Sequence, residues 1–124
     1  MRNEASLVLD EKDEELAALL ADLGLPRNLA KAMVFLTQVD EAISTDIEHG
    51  AGLRQPEVSV AMRDLRSRNW VEKSDLKKEG KGRPVHCYRV LIKLGDIIAL
   101  LEDEKRREAE KNAELLKRLR ELAG

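Results

Sequence analysis

The chain has 124 residues, a formal net charge of −2 and one residue each of phenylalanine, tryptophan and tyrosine. This length fits one domain with an appendage and a mainly aliphatic core, and so few rings argue against stacking of successive bases on exposed aromatic side chains. The single cysteine, Cys87, excludes an intrachain disulfide bond and a cysteine-rich metal site.

The acidic N-terminus lacks the pattern of a signal peptide, and no apolar run is long enough to span a bilayer. We therefore expect a soluble, cytoplasmic protein without a membrane partner. The charges are segregated along the chain: residues 1–53 carry 4 Lys or Arg and 11 Asp or Glu, residues 54–93 carry 11 and 5, and residues 94–124 carry 7 and 8. Because salt screens surface charges beyond about 8–10 Å, DNA phosphates would respond to the +6 of the middle block.

Two helices are predicted in the first third of the chain. Leucines recur at helical spacing between Leu16 and Leu23, after an acidic start that favours a helix N-terminus. Gly24 ends this helix and Pro26 opens the next. Residues 29–36 are apolar nearly all round, which is typical of a helix in the middle of a core.

A short helix is predicted after Ile43. Thr45 is the simplest N-cap, with Ile43 as a hydrophobic staple, and Ser44 is the alternative cap. Gly50 and Gly52 stop this helix, and either can take a positive φ in the turn.

A longer helix begins at Gln55 and Pro56, where proline is tolerated because it lies in the first turn. One apolar stripe of this helix must face inward. The stripe consists of Leu53, Val58, Met62 and Leu65, with Ala61 beside it. Asn69 is a candidate for the residue with left-handed backbone conformation that ends this helix. The sequence then predicts a hairpin with strands at residues 70–73 and 85–90. The loop between them is predicted at residues 75–84, which are polar and basic and include glycines.

From Lys93 onward the sequence predicts one long helix with a charged middle and a leucine-rich end. The apolar residues of this helix fit a 3.5-residue register that puts Asn112 at an a-type position. The same register puts Lys105 and Glu108 on the seam, so the predicted coiled coil is interrupted. We expect a homodimer joined chiefly by this helix and helped by the N-terminal one, because leucines would otherwise be exposed. The dimerisation residues are Ile97, Ile98, Leu101, Asn112, Leu115, Leu116, Leu119 and Leu122. The alternative is a helix folded back on its own domain.

The segment 46–65, the following Asn-Trp-Val at 69–71 and the Glu-Gly-Lys-Gly-Arg-Pro loop at 79–84 resemble MarR-like winged helix-turn-helix regulators, especially small predicted archaeal transcriptional regulators. The resemblance covers roughly residues 27–92. It implies a homodimer whose second motif helix lies in the major groove, with the wing on the backbone or minor groove. We expect a mainly α fold with a small β-hairpin, arranged as a tail (1–10), a winged helix-turn-helix domain (11–92) and a dimerisation helix (93–124).

The expected function is that of a sequence-specific regulator of transcription that binds a palindromic operator in double-stranded DNA as a homodimer. The residues assigned to DNA are Arg54, Gln55, Glu57, Ser59, Val60, Arg63 and Arg66 on the second motif helix, and Lys77, Lys78, Lys81 and Arg83 in the wing. Two residues depart from the family pattern: Glu48 stands where a small residue is usual, and Val60 where a basic or polar one is frequent. Val60 can touch a thymine methyl group, and Glu57 can accept a hydrogen bond from a cytosine amino group.

Other functions have weaker support in the sequence. There is no metal-ligand spacing, no phosphate-binding glycine loop and no nucleophile beside a base, so we expect no enzyme, no metal and no cofactor. His49 and His86 are far apart without a third ligand, and Cys87 reads as a small apolar filler, with a redox sensor as the alternative. The main competing hypothesis is a winged helix used for protein–protein assembly. No sensor domain is visible, so an effector, of unknown identity, would have to bind at the dimer interface.

Overall fold

The computed structural model describes residues 7–77 and 84–124. In chain order the elements are α1 (Glu11–Asp22), α2 (Arg27–Val39), β1 (Glu41–Ile43), α3 (Ser44–Ala51), α4 (Gln55–Ser67), β2 (Val71–Lys77), β3 (Pro84–Val90) and α5 (Leu94–Ala123). The chain divides into two compact units, Met1–Lys93 and Leu94–Gly124. Within the described ranges, no helix combines the length and the apolar composition needed to cross a bilayer.

Helix α1 begins at a reciprocal cap. The backbone N–H of Asp13 donates to Oδ1 of Asp10 over 2.9 Å, and the backbone N–H of Asp10 donates to Oδ2 of Asp13 over 3.0 Å. These carboxylates satisfy amides that a helix leaves free at its start. Gly24 follows the helix with φ 116°, and Pro26 is the N-cap of α2. The predicted boundaries between the first two helices are therefore confirmed.

Helix α2 forms the centre of the first unit, as its apolar sequence predicted. Eight of its side chains are buried, namely Leu29, Ala30, Ala32, Met33, Val34, Phe35, Leu36 and Val39. Phe35, the single phenylalanine, has no exposed surface. Asp40 ends the helix with φ 69°, and its carbonyl accepts a hydrogen bond from the N–H of Val90 at the end of β3.

The start of α3 differs from the sequence prediction. Its N-cap is Ile43, and no side chain caps the helix, so the predicted cap by Thr45 or Ser44 is wrong. Ile43 is extended because it is the last residue of β1, which places the helix start two residues earlier than a Thr45 cap requires. The left-handed turn after α3 is confirmed at Gly52, with φ 67°.

Gly50 lies inside α3 and not in the turn. A Cβ at this position would come closer than 3.0 Å to three ring atoms of Phe35. The absent side chain therefore lets α3 approach the aromatic ring of α2, which is a packing requirement and not a requirement for positive φ.

The sheet has three antiparallel strands in the order β1-β3-β2, where the sequence predicted a two-stranded hairpin. Strand β1 pairs Ala42 with Tyr88, and β2 pairs Lys73 with the same tyrosine from the other side. Strand β2 runs to Lys77, so residues 75–77 belong to a strand and not to the predicted loop. Three residues of strand are too few to show a period in the sequence, which explains why β1 was missed.

The junction between α4 and β2 is built around the single tryptophan. Asn69 has the predicted left-handed conformation, with φ 63°, and Trp70 follows it with 9% of its surface exposed. The guanidinium carbon of Arg68 lies 5.1 Å from the centre of the Trp70 ring. This distance is within the range of a cation–π interaction.

The order α2, β1, α3, α4, β2, β3 is that of a winged helix-turn-helix, in which α3 and α4 form the motif and β2 and β3 flank the wing. The predicted fold class, mainly helical with a small antiparallel sheet and a long C-terminal helix, is confirmed. The second unit is α5 alone, a helix of 30 residues.

Candidate nucleic-acid interface

Helix α4 has one buried face and one polar, exposed face. The predicted apolar stripe is confirmed: Leu53, Val58, Ala61, Met62 and Leu65 are each at most 8% exposed. The opposite face exposes residues that were assigned to DNA, namely Gln55, Ser59, Val60, Arg63 and Arg66. Val60 is 63% exposed, so an apolar group stands in solvent in the middle of a polar face.

Glu57 and Arg54 hold the start of α4. Arg54 is the N-cap, and its backbone N–H donates to Oε1 of Glu57 over 2.9 Å. The Nε of Arg54 lies 3.5 Å from the same oxygen. This backbone hydrogen bond, with help from the Arg54 side chain, lowers the pKa of Glu57 below its ordinary value. The capping role accounts for a carboxylate on a face that is otherwise positive.

The low pKa of Glu57 leads to an expected pH dependence. A carboxylate with a lowered folded-state pKa stabilises the fold above its unfolded pKa and loses that effect as pH falls through the folded value. We expect Glu57→Gln to lower the melting temperature slightly at pH 7 and to have no effect in strong acid, where the wild-type carboxylate is protonated. Melting curves followed by circular dichroism between pH 2 and pH 7, with Glu110→Gln on α5 as control, would measure this. An equal difference at every pH would contradict it.

The cations on α4 and the neighbouring strands fall into two groups. Arg54, Arg68 and Arg89 form ion pairs with Glu57, Asp64 and Glu72. In contrast, Arg63, Arg66 and Lys73 have no carboxylate within ion-pair distance among the residues that the structure describes. Among the described residues near the side of α4 assigned to DNA, the cations without a carboxylate partner therefore lie on the helix itself and on strand β2.

These three cations line one concave pocket of about 210 Å³. Its walls come from the start of α3, from α4 and from the hairpin, and the lining residues are Ser44, Gln55, Val58, Ser59, Arg63, Arg66, Lys73, His86 and Tyr88. Lys73 pairs with Tyr88 across β2 and β3, and Asp75 pairs with His86 two residues further on. Because opposite residues in an antiparallel pair share a face, these side chains stand on the same side of the sheet.

Tyr88 forms a mostly buried part of this pocket, with 6% of its surface exposed. Burial raises the pKa of Tyr88, while the positive charge of Arg66 and a hydrogen bond with Ser44 oppose that shift. The phenol therefore keeps its proton at any physiological pH and is available as a hydrogen-bond donor. His86 contacts Asp75 through Nδ1 over 2.8 Å.

Four lining residues were missed by the sequence analysis: Ser44, Lys73, His86 and Tyr88. The strand register would have found three of them, because Lys73 and Tyr88 are opposite each other and His86 lies two residues away on the same face. The wing residues Lys78, Lys81 and Arg83, and the side chain of Lys77, lie outside the described residues. Cys87 is buried, with 9% of its surface exposed.

The residues assigned to dimerisation fall into two groups on α5. Ile97 and Leu101 are buried, and their part in dimerisation stays a prediction. The C-terminal leucines, in contrast, form an exposed apolar surface, which we call the leucine face: Leu115, Leu116, Leu119 and Leu122 are 57–69% exposed. Ile98 is 40% exposed, and Asn112 is exposed as well.

No protein-family model matches the chain, and no curated protein matches it. Solved structures do match it. A possible transcriptional regulator from Methanosarcina mazei Go1 is 14% identical and superposes with a TM-score of 0.62 over 91% of this chain and 96% of its own. The transcriptional regulator PA4135 is 21% identical, with a TM-score of 0.52 over 90% of each chain. A MarR family regulator from Neisseria meningitidis, NMB1585, is 18% identical, with a TM-score of 0.48 over 78% of this chain and 66% of its own.

The first two similarities agree with the topology of the chain. The first two superpositions extend over at least nine tenths of this chain and of the other chain. The chain has the fold of winged-helix transcriptional regulators, an archaeal one among them, and the predicted resemblance is confirmed at the level of the fold.

Proposed function

We propose that this protein is a regulator of transcription that binds double-stranded DNA sequence-specifically as a homodimer. The observation that carries the proposal is the face of α4 opposite the core, where Arg63 and Arg66 are exposed and have no carboxylate partner among the described residues. Exposed arginines without a carboxylate partner, on the second helix of the motif, are suited to bind the phosphates of DNA.

The spacing along α4 fits reading of base edges. Gln55, Ser59 and Arg63 follow each other at intervals of four residues, which is about 6 Å along a helix. This distance is close to two base-pair steps of about 3.4 Å. In the major groove an arginine suits guanine, a glutamine suits adenine, and an apolar group such as Val60 suits the thymine methyl.

A homodimer would extend the DNA interface over two half-sites. A single winged helix reads few base pairs, whereas two copies about 34 Å apart read a palindrome. The leucine face of α5 supports the pairing, and Leu19 and Leu23 of α1, 55% and 43% exposed, support a contribution from the N-terminal helix. We also propose that Lys77, Lys78, Lys81 and Arg83 contact phosphates from the wing.

The proposal is tested by binding of fluorescent duplex DNA, measured by anisotropy as a function of salt. With random duplex, log K should fall linearly with log salt, by about 0.9 for each phosphate neutralised. With the best operator from a selection, Arg63→Ala should cost about 1–3 kcal/mol and relax specificity at one position. The control is Arg68→Ala at the end of the same helix, since Arg68 is already paired with Asp64.

Two results would contradict the proposal. Weak binding with little salt dependence would favour a winged helix that assembles with another protein. Equal affinities of wild type and Arg63→Ala for the best operator would remove α4 from the base-reading surface.

A further inference from the structure

The pocket between α3, α4 and the hairpin is rich in cations. Three of its lining residues, Arg63, Arg66 and Lys73, are cations without a carboxylate partner among the described residues. Among the residues that the structure describes, no Asp or Glu lines it, and Asp75 on the neighbouring strand β2 contacts His86. Three like charges around one cavity repel each other, so an anion in the cavity would relieve an unfavourable arrangement.

Hydrogen-bond donors supplement these charges. The Tyr88 phenol is protonated at neutral pH, and the hydroxyl of Ser44 lies beside it. Ser44 is also the first residue of α3, and no side chain caps that end of the helix. Free amides and the positive end of a helix favour an anion. Asp46 in the same turn is half-buried and is not among the lining residues.

We propose that this pocket binds one phosphate group, held by Arg66 and Lys73 with Tyr88 and Ser44 as neutral donors. A tetrahedral oxyanion has an acceptor for each of these donors, and charge-assisted hydrogen bonds are the stronger kind. The cavity of about 210 Å³ also leaves room for the group to which the phosphate is esterified. If the phosphate belongs to DNA, this proposal rests on the proposed function, because the pocket opens beside Arg63 and Gln55 on the face assigned to DNA.

The phosphate has two possible sources, a backbone phosphate of DNA or a free phosphate ester, and both present the same chemistry to the pocket. If the source is DNA, a free phosphate and duplex DNA should compete for the site. The protein would then release DNA more readily in phosphate than in chloride at equal ionic strength.

The first measurement is binding of inorganic phosphate to the free protein, by titration calorimetry and by 31P line broadening at constant ionic strength. We expect saturable binding to the wild type and at least about tenfold weaker binding to Arg66→Gln/Lys73→Gln, since two charged donors are lost. Lys93→Gln is the matched control, because Lys93 is an exposed cation of the same unit that does not line the pocket. Tyr88→Phe, which keeps the ring and removes the hydroxyl, should weaken phosphate binding without a change in charge.

The second measurement is DNA binding by the same variants. If the source is DNA, Arg66→Gln/Lys73→Gln should lower the salt slope by about one and weaken binding to all sequences alike, while Lys93→Gln should not. Saturable, pocket-dependent phosphate binding without any DNA binding would support the pocket with a free ester as its ligand and would overturn the proposed function alone. Operator binding that depends on Arg63 but not on Arg66, Lys73 or Tyr88, together with no phosphate binding, would overturn the pocket and leave the proposed function intact.

Discussion

Substitution of Gly50 by alanine should destabilise the first unit by about 1–3 kcal/mol or more. The added methyl group would come closer than 3.0 Å to three atoms of the Phe35 ring, which has no exposed surface. In a close-packed interior, such an insertion forces side chains into strained rotamers and shifts the backbone. For a domain of this size the melting temperature should fall by about 4–8 °C for each kcal/mol.

Gly95→Ala is the matched control for this experiment. It also adds one methyl group to a helical glycine, but no atom lies within 4 Å of the new Cβ. Its stability should stay the same or rise by up to about 1 kcal/mol, because alanine is the better helix former. A second test is the pair Gly50→Ala/Phe35→Leu, where the smaller side chain should recover part of the loss. Equal melting curves for Gly50→Ala and Gly95→Ala would show that the ring does not limit this site.

Replacement of Leu115 and Leu119 by glutamine should convert the proposed dimer to monomers. Both side chains are more than half exposed in the single chain. The two substitutions remove four buried leucines from each dimer, two from each copy. At about 1.5 kcal/mol for each leucine, the loss is about 6 kcal/mol, or about four orders of magnitude in the dissociation constant. Glutamine keeps the length and the helix propensity of leucine, so α5 should remain helical.

Sedimentation equilibrium or light scattering over a range of concentrations would measure the association. The control is Glu110→Gln/Glu114→Gln, which has the same spacing of four residues on another face of the helix. The control should retain twice the 14.0 kDa mass of the chain, and the leucine variant should not. A monomeric wild type at micromolar concentration, or an unchanged dimer in the leucine variant, would show that the leucine face is not the dimer contact.

The sequence predicted the helices well because their signals are local or repeated. Gly24 and Asn69 mark chain reversals by their own conformations, and the stripe at Val58, Met62 and Leu65 repeats with the helical period. The exposed face of α4 followed directly from that stripe. A prediction of this kind needs no knowledge of what the helix packs against.

The rest depends on contacts between distant parts of the chain. Strand β1 is three residues long and exists because Ala42 pairs with Tyr88 across the sheet. That strand makes Ile43 the N-cap of α3, so the predicted cap at Thr45 was wrong. The pocket was missed for the same reason: Lys73, His86 and Tyr88 come together only when the register of the hairpin is known.

The single tryptophan gives each unit a separate optical signal. Trp70 lies at the junction of α4 and β2, where it is mostly buried, and α5 contains no aromatic residue. Its emission should therefore report loss of packing in the first unit alone, whereas ellipticity at 222 nm should also follow the 30 residues of α5. If dissociation releases α5 before the first unit unfolds, the two curves should separate and shift apart on dilution. Coincident curves would mean that the chain unfolds in one cooperative step.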